Sequence, residues 1–150
     1  MQHRISAGAL VLNGDRLLLA RHHSPGRYDF WAPPGGGVDE AEELETTAER
    51  ETFEETGIRI EALRIAYIDE LIDSGGRMVK FWFLARYLSG EIDVRSNPAH
   101  GERIVEAGWF GQGDLPAGHV FPAVLRDDFW RRSSEGFPAP VRLPLMISIF

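Results

Sequence analysis

The chain has 150 residues, no cysteine and a formal net charge of -7. This length suits one domain spanning residues 1–150, and the lack of cysteine excludes disulfides, thiolate metal sites and a cysteine nucleophile. The acidic balance argues against binding to long nucleic acids, because basic side chains that neutralise phosphates drive such binding. A phosphorylated small molecule stays compatible with this charge if a divalent cation bridges the two negative partners.

Neither export nor membrane insertion is indicated by the residues. The N-terminus, Met1-Gln2-His3-Arg4-Ile5, lacks the apolar stretch of a signal peptide, and no apolar run approaches the roughly 18 residues of a membrane helix. We therefore expect a soluble, cytoplasmic protein without a membrane partner. The sequence leaves the oligomeric state open.

The first predicted elements form a hairpin. Ile5–Leu12 is a strongly apolar strand, and Asn13-Gly14 favours a tight turn before a returning strand at Arg16–Ala20. Ser24–Pro34 is then predicted to be a loop, and it leads into the glycine run Gly35-Gly36-Gly37.

The best predicted helix is Glu42–Thr56, which has acidic residues in its first turn and a glycine just after its last residue. Two strands follow, at Ile58–Ile68 and Met78–Leu88, around a turn at Ser74-Gly75-Gly76.

The C-terminal third is predicted to contain a strand at Ile104–Phe110 and a second helix from Pro122 to about Arg132. Phe137–Pro144 is broken by prolines, and the state of the apolar tail Leu145–Phe150 is left open. Interleaved strands and helices predict the α/β class, with a sheet packed between helices.

The predicted helix carries charge where a core-facing stripe is expected. On a helical wheel at 100° per residue, Ala48, Glu51 and Glu55 all lie within about 40° of Leu44, and Glu54 lies beside them. The apolar stripe that begins at Leu44 and Ala48 therefore continues as carboxylates. The alternative is that these glutamates form an ordinary acidic surface of the helix that is exposed to solvent.

These glutamates are expected to reduce stability. Glu51 forms like-charge pairs with Glu54 and Glu55 that cost about 0.2–0.5 kcal/mol each. All three glutamates lie toward the C-terminal end of the helix, where the helix dipole disfavours anions by roughly 0.3–1 kcal/mol apiece. A compensating cation would offset these costs, and hard oxygen ligands suit Mg²⁺ or Mn²⁺.

The same residues resemble the Nudix box. In that family a glycine is followed at fixed spacings by a glutamate and then by Arg-Glu-aliphatic-any-Glu-Glu-any-Gly-aliphatic. The chain matches every spacing with Gly36, Glu42 and Arg50-Glu51-Thr52-Phe53-Glu54-Glu55-Thr56-Gly57-Ile58. Its one departure is Thr52, where the family has a bulky aliphatic residue that packs under the helix.

The resemblance implies an α/β/α sandwich around a mixed β-sheet, and it implies roles for particular residues. Glu51, Glu54 and Glu55 would bind the divalent cation directly or through water. Arg50 would orient a carboxylate, with an ordinary i,i+4 pair to Glu54 as its alternative role. Gly36 would let the loop backbone approach the metal, or would simply be a turn glycine.

Hydrolysis of a diphosphate bond by water follows from the same resemblance, with a carboxylate as general base. Glu51 is the first candidate for this base, and Glu102, in the polar stretch before Ile104–Phe110, is the second. Glu42 would be a structural partner within the box, or a first-turn acid favoured by the helix dipole.

The substrate is expected to be a small nucleotide-type molecule: a nucleoside triphosphate, a nucleotide sugar or ADP-ribose. Arg21, and less strongly Arg27, are candidate phosphate contacts, although either could be a surface cation. His22 and His23 are predicted to be loop residues, because they form no metal-ligand spacing. Candidates for stacking on a base, against a core role for at least half of them, are Trp31, Phe81, Trp82 and Phe83.

Two other functions compete with an active hydrolase. One is a catalytically inactive nucleotide-binding or regulatory module of the same fold, and the other is a structural protein whose acidic helix binds a basic partner. The intact set of destabilising glutamates argues against the inactive module, because a site without catalytic activity gains nothing that offsets their cost in stability.

Overall fold

The computed structural model describes residues 1–95 and 104–150, which form one mixed nine-stranded sheet and two α-helices. The strands are β1 His3–Asn13, β2 Arg16–Ser24, β3 Tyr28–Ala32, β4 Gly35–Gly37, β5 Arg59–Asp73, β6 Gly76–Ser89, β7 Ile104–Phe110, β8 Val141–Arg142 and β9 Met146–Ile147. The helices are α1 Leu44–Thr56 and α2 Asp128–Ser134, with short 3-10 turns at Gln112–Asp114 and Ala123–Arg126.

The main path through the sheet is β3-β2-β1-β6-β5-β8, with β4 paired to β1, β7 to β2 and β9 to β5. β1 runs parallel to β6, and β8 and β9 run parallel to β5, whereas the remaining pairings are antiparallel. The predicted hairpin is present, with Asn13 opposite Arg16.

Two hydrophobic clusters cover opposite faces of the sheet. The first contains Ala48 of α1 packed with Phe83 of β6, and the second contains Phe129 of α2 packed with Tyr67 of β5. The helices therefore lie on opposite faces, and the predicted α/β/α sandwich around a mixed sheet is confirmed. Neither helix in the described ranges is long and apolar enough to cross a bilayer.

The buried side of α1 is unusually polar. Thr47, Thr52 and Thr56 are fully buried. The hydroxyls of Thr52 and Thr56 donate to the carbonyl four residues earlier in the chain, at 2.7 Å, and that of Thr47 donates to the Glu42 carboxylate at 2.6 Å. Because each hydroxyl has a partner, a polar face can pack on the sheet. The helix ends at Gly57, which has a φ of 79° and donates its N–H to the carbonyl of Phe53.

The loop predicted at Ser24–Pro34 is partly wrong, because β3 lies within it and pairs with β2. Aromatic residues favour strands when they can pack on a sheet face, and here that preference outweighs the flanking glycine and prolines. β2 also extends to Ser24, which places His22 and His23 in a strand rather than a loop.

The second helix is shorter than predicted and starts later. Asp127 has a φ of -145° and a ψ of -72°, which is not a helical conformation and therefore separates the 3-10 turn from α2. Its side chain accepts the N–H of Asp128, so a new helix begins at that point. The apolar tail forms β9, and the N–H of Ser148 donates to the carbonyl of Ile72 at 2.8 Å.

Candidate active site

The carboxylates of α1 lie where the wheel placed them. Glu55 is fully buried and Glu51 is 7% exposed, on the same side of the helix as Ala48. Glu54 is half-buried at the edge of this side. We call Glu51, Glu54 and Glu55 the carboxylate face. Two of its three members are thus withdrawn from water, which excludes a fully solvated acidic surface.

Glycines of β4 lie directly against this face. A Cβ built on Gly36 would lie 2.5–2.7 Å from the carboxylate atoms of Glu51, so a larger residue would displace that carboxylate. The backbone N–H of Gly35 donates to Oε2 of Glu55 at 3.0 Å. Ser6 fixes the strand, since its hydroxyl donates to the carbonyl of Gly36 at 2.6 Å. Gly36 therefore has a packing role beyond that of a turn.

Arg50 connects the carboxylates. One guanidinium nitrogen donates to Oε1 of Glu51 at 3.0 Å and to Oε2 of Glu54 at 3.1 Å, and the others bind both oxygens of Glu42. Both roles considered for Arg50 are present, because the i,i+4 pair with Glu54 is one arm of a network that also orients Glu51. These charge-assisted bonds raise the pKa of Arg50 further above its ordinary value.

Glu42 is the outer anchor of this network. Hydrogen bonds from Arg50 lower the pKa of Glu42 to about 2, and the hydroxyl of Thr47 adds to the effect. Its ordinary value is about 4.5. Glu42 therefore acts as a structural partner within the box.

A pH-dependent stability follows from Glu42. Since its pKa is depressed in the folded chain, the stabilisation is fully present above about pH 4.5 and is lost as the pH falls toward about 2. Unfolding by urea should show Glu42→Gln to be less stable than the parent at pH 6, by on the order of 1–3 kcal/mol for bonds to a charged group. The difference should shrink toward pH 2, and a constant difference would contradict the assignment.

Thr52, the departure from the family pattern, is fully buried, and its hydroxyl donates to the carbonyl of Ala48 at 2.7 Å. The side chain thus faces the sheet, as expected for its position in the box. Its hydroxyl has a hydrogen-bond partner within the same helix.

The structure gives the other candidate residues, Arg21, Arg27 and Glu102, different outcomes. Arg21 binds both oxygens of Asp29, at 2.8 and 2.9 Å, and Glu106 at 3.1 Å, which gives it a structural role on β2. Arg27 is exposed and lies 5.9 Å from the ring centroid of Tyr28. Phosphate binding by either arginine stays a prediction. Glu102, the second candidate for the general base, lies outside the described residues.

A cavity of about 280 Å³ adjoins the carboxylate face. Gly35 lines it while its N–H binds Glu55, so the glycine is shared by the cavity and the carboxylates. We call this space the aromatic cavity. Its ring-bearing and charged walls are His22, Tyr28, Phe30, Asp69, Asp73, Lys80, Trp82, Phe121 and Phe150.

Trp82 is the stacking candidate that reaches the aromatic cavity. Its indole N–H donates to Asp69 at 3.3 Å, and the Lys80 ammonium lies 4.2 Å from its ring centroid. Trp31, by contrast, packs edge-on against Phe110 at 5.1 Å. Phe83 is buried in the cluster beneath α1, and Phe81 packs against that cluster.

Sequence reasoning missed His22, Asp69 and Lys80 as wall residues. Burial lowers the pKa of His22 to about 4, helped by the Lys80 charge, and burial raises the pKa of Asp69. The signal for Lys80 was in the sequence, because it is the only lysine in the chain. His22 and Asp69 had no comparable signal.

The carboxylate face fits a hard divalent cation in its donor chemistry, although it is not a converged cage. Within residues 1–95 and 104–150, no three His, Cys, Asp or Glu side chains form a group able to hold an ion. Oε2 of Glu51 is nevertheless buried and has no hydrogen-bond partner in the same ranges. A desolvated carboxylate oxygen is costly unless it is compensated, and carboxylate oxygens are ligands that suit Mg²⁺ or Mn²⁺.

The fold is an α/β/α sandwich in which the helix that bears the carboxylate face packs against a glycine strand. This combination indicates the Nudix class of proteins. The family model described as the NUDIX domain matches residues 2–129. The chain therefore belongs to the Nudix family and is a Nudix-type hydrolase.

Curated relatives agree with this family. The chain is 39% identical over 117 residues to a protein named NAD-capped RNA hydrolase NudC from Chromobacterium violaceum, covering 75% of the chain but only 40% of the relative. It is 30% identical to a protein named RNA pyrophosphohydrolase from Bartonella henselae, covering 91% of the chain and 94% of the relative. The chain thus spans less than half of the first relative and nearly all of the second.

Solved structures support the same fold. A MutT NUDIX hydrolase from Burkholderia pseudomallei aligns with a TM-score of 0.70 and 30% identity, over 84% of this chain and 96% of that one. A NUDIX hydrolase from Nitrosomonas europaea aligns with a TM-score of 0.69 over 99% of this chain and 80% of that one. At 21% identity the second likeness concerns the fold alone.

Proposed function

We propose that the chain is a metal-dependent pyrophosphohydrolase, which cleaves the diphosphate linkage of a nucleoside diphosphate joined to another moiety. The observation that carries the proposal is Glu51: its carboxylate is buried against Gly36, and Oε2 has no hydrogen-bond partner among the described residues. An anionic oxygen kept in this state costs stability and is explained by a ligand or proton that it binds during the reaction.

Glu51, Glu54 and Glu55 would hold Mg²⁺ or Mn²⁺, directly or through water. When bound, the cation supplies polarisation of the phosphoryl oxygens and a lowered pKa of the attacking water. Oε2 of Glu51 accepts the proton of that water. Arg50 holds Oε1 of the same carboxylate and thereby fixes its orientation.

The nucleoside part would lie in the aromatic cavity. Tyr28, Phe30 and Trp82 line this space and would form apolar walls around a base, and Gly35 places this space next to Glu55. A substrate that fills the cavity would present its diphosphate to the carboxylate face. Among substrates of this kind, a nucleoside triphosphate, a nucleotide sugar and ADP-ribose remain the candidates.

A second substrate class is the 5′ end of RNA, favoured by the relatives named NAD-capped RNA hydrolase and RNA pyrophosphohydrolase. The formal net charge of -7 weighs against extended contact with an RNA backbone. Only the terminal nucleotide and its phosphates would then enter the site.

Both classes are tested by one panel: ATP, UDP-glucose, ADP-ribose, NAD and a short RNA with a 5′-triphosphate, each with Mg²⁺ or Mn²⁺. We expect release of a mononucleotide or a phosphate product from at least one of them, and no release in excess EDTA. Full activity in EDTA would contradict the metal proposal. Binding without turnover across the panel would favour the inactive nucleotide-binding module.

Metal binding should depend on substrate. Because the carboxylates do not converge on one point and Arg50 already pairs with Glu51 and Glu54, Mg²⁺ alone should barely change the melting temperature. Mg²⁺ with α,β-methylene-ADP, whose bridge resists hydrolysis, should raise it. A ligand at a hundredfold excess over Kd contributes about 2.7 kcal/mol. A large rise with Mg²⁺ alone would instead indicate a preformed site.

A further inference from the structure

Lys80 occupies the junction between the aromatic cavity and the carboxylate face. Its Cε would lie 2.8 Å from a Cβ built on Gly35, the residue whose N–H binds Glu55. Its ammonium lies 4.2 Å from the ring centroid of Trp82. The terminal Cε–Nζ group of the side chain therefore lies between the glycine strand and the ring of Trp82.

The charge of Lys80 affects the pKa values of two residues that line the aromatic cavity. The ammonium helps to lower the pKa of His22 and counteracts the burial that raises the pKa of Asp69. The ammonium group therefore contributes positive potential to a cavity that His22 and Asp69 also line.

The choice of lysine is itself informative. The chain has 16 basic residues and only this one is lysine, so arginine serves everywhere else. Arginine is a planar fork that suits bidentate pairs, whereas lysine is a compact point charge on a flexible stem, a common binder of phosphate. Gly35 leaves room for this side chain, because a Cβ built there would lie 2.8 Å from the Cε of Lys80.

We propose that Lys80 binds a phosphate of the substrate and positions the diphosphate between the aromatic cavity and the carboxylate face. This inference rests on the proposed function, since it names a binding residue of the same site. It assigns the phosphate contact to Lys80 rather than to Arg21, because Lys80 is among the residues that line the aromatic cavity and Arg21 is not.

Because the chain has one lysine, selective amine chemistry tests the assignment. Pyridoxal 5′-phosphate forms an imine with an amine and releases water, and borohydride then reduces the imine to a stable amine. In EDTA, peptide mass spectrometry should find that Lys80, measured relative to the α-amino group of the chain, is modified at least tenfold faster by pyridoxal 5′-phosphate than by pyridoxal. ATP should slow that modification at least fivefold and leave the α-amino group of the chain unaffected.

Kinetics of variants supply the second measurement. Lys80→Met should raise KM for the best substrate of the panel about tenfold or more, with a smaller change in kcat, and Lys80→Arg should restore part of the loss. Arg86→Met, which removes an exposed cation of the same strand, is the matched control and should change KM less than twofold. Melting temperatures in EDTA verify that each variant is folded.

The outcomes separate the two proposals. Equal modification of Lys80 by both aldehydes relative to the α-amino group, no protection by ATP and an unchanged KM in Lys80→Met would overturn the role of Lys80 and leave the hydrolase intact. Protection of Lys80 by ATP in a chain that hydrolyses nothing in the panel would support the binding role and reject the proposed function.

Discussion

Glu51→Gln is expected to lower kcat/KM by about 10²–10⁴-fold, the range contributed by a general base, while the chain stays folded. Glutamine has nearly the same shape, but it can neither accept the water proton nor supply the charge that the cation needs. The substitution also removes an anion from the C-terminal half of α1, which relieves the helix dipole and the repulsion from Glu55 by tenths of a kcal/mol. It also weakens the charge-assisted bond from Arg50, at 3.0 Å, by on the order of 1–3 kcal/mol, so the free energy of unfolding in EDTA should fall by no more than about 3 kcal/mol.

The control is Glu45→Gln, on an exposed glutamate in the first turn of the same helix. The dipole favours an anion there, so this variant should lose about 0.3–1 kcal/mol of stability and keep its turnover. The loss of kcat/KM should thus be confined to Glu51→Gln, although both variants stay folded. Near-normal turnover in Glu51→Gln, measured with the best substrate of the panel, would reject the carboxylate face as the active site.

Gly36→Ala is expected to reduce kcat/KM about 100-fold, because its methyl group would lie 2.5–2.7 Å from the carboxylate of Glu51. The strand is held by Ser6 and by pairing with β1, so the carboxylate is the group that must shift. A displacement of about 1 Å in a reacting group can cost 10²-fold in rate. Overpacking should also cost about 1–3 kcal/mol of stability.

The neighbouring residue supplies a closely matched control. A Cβ built on Gly37 meets no heavy atom within 4 Å, so Gly37→Ala adds the same methyl group one position away into open space. Its kcat/KM and melting temperature should stay close to those of the parent. Equal loss of activity in both variants would mean that β4 tolerates no side chain at all, and that contact with Glu51 is not the cause.

The sequence by itself determined the fold class and the carboxylate face. The wheel position of Glu51 and Glu55 on the Ala48 stripe predicted buried carboxylates, and both are buried. The box spacing predicted the family, which the match over residues 2–129 confirms. These features are local: helix periodicity and a short motif place side chains within a few turns of each other, without any contact distant in sequence.

Only the tertiary structure decided which residues share the site with this helix. Arg21 pairs with Glu106 because β2 and β7 are neighbours in the sheet, and no local sequence pattern predicts that partner. Lys80 reaches Gly35 because β6 and β4 both pair with β1, and the tail residue Phe150 joins the cavity because β9 pairs with β5. Strand pairing over long sequence separations is set by the packing of the whole sheet, whereas helix periodicity is set within one segment.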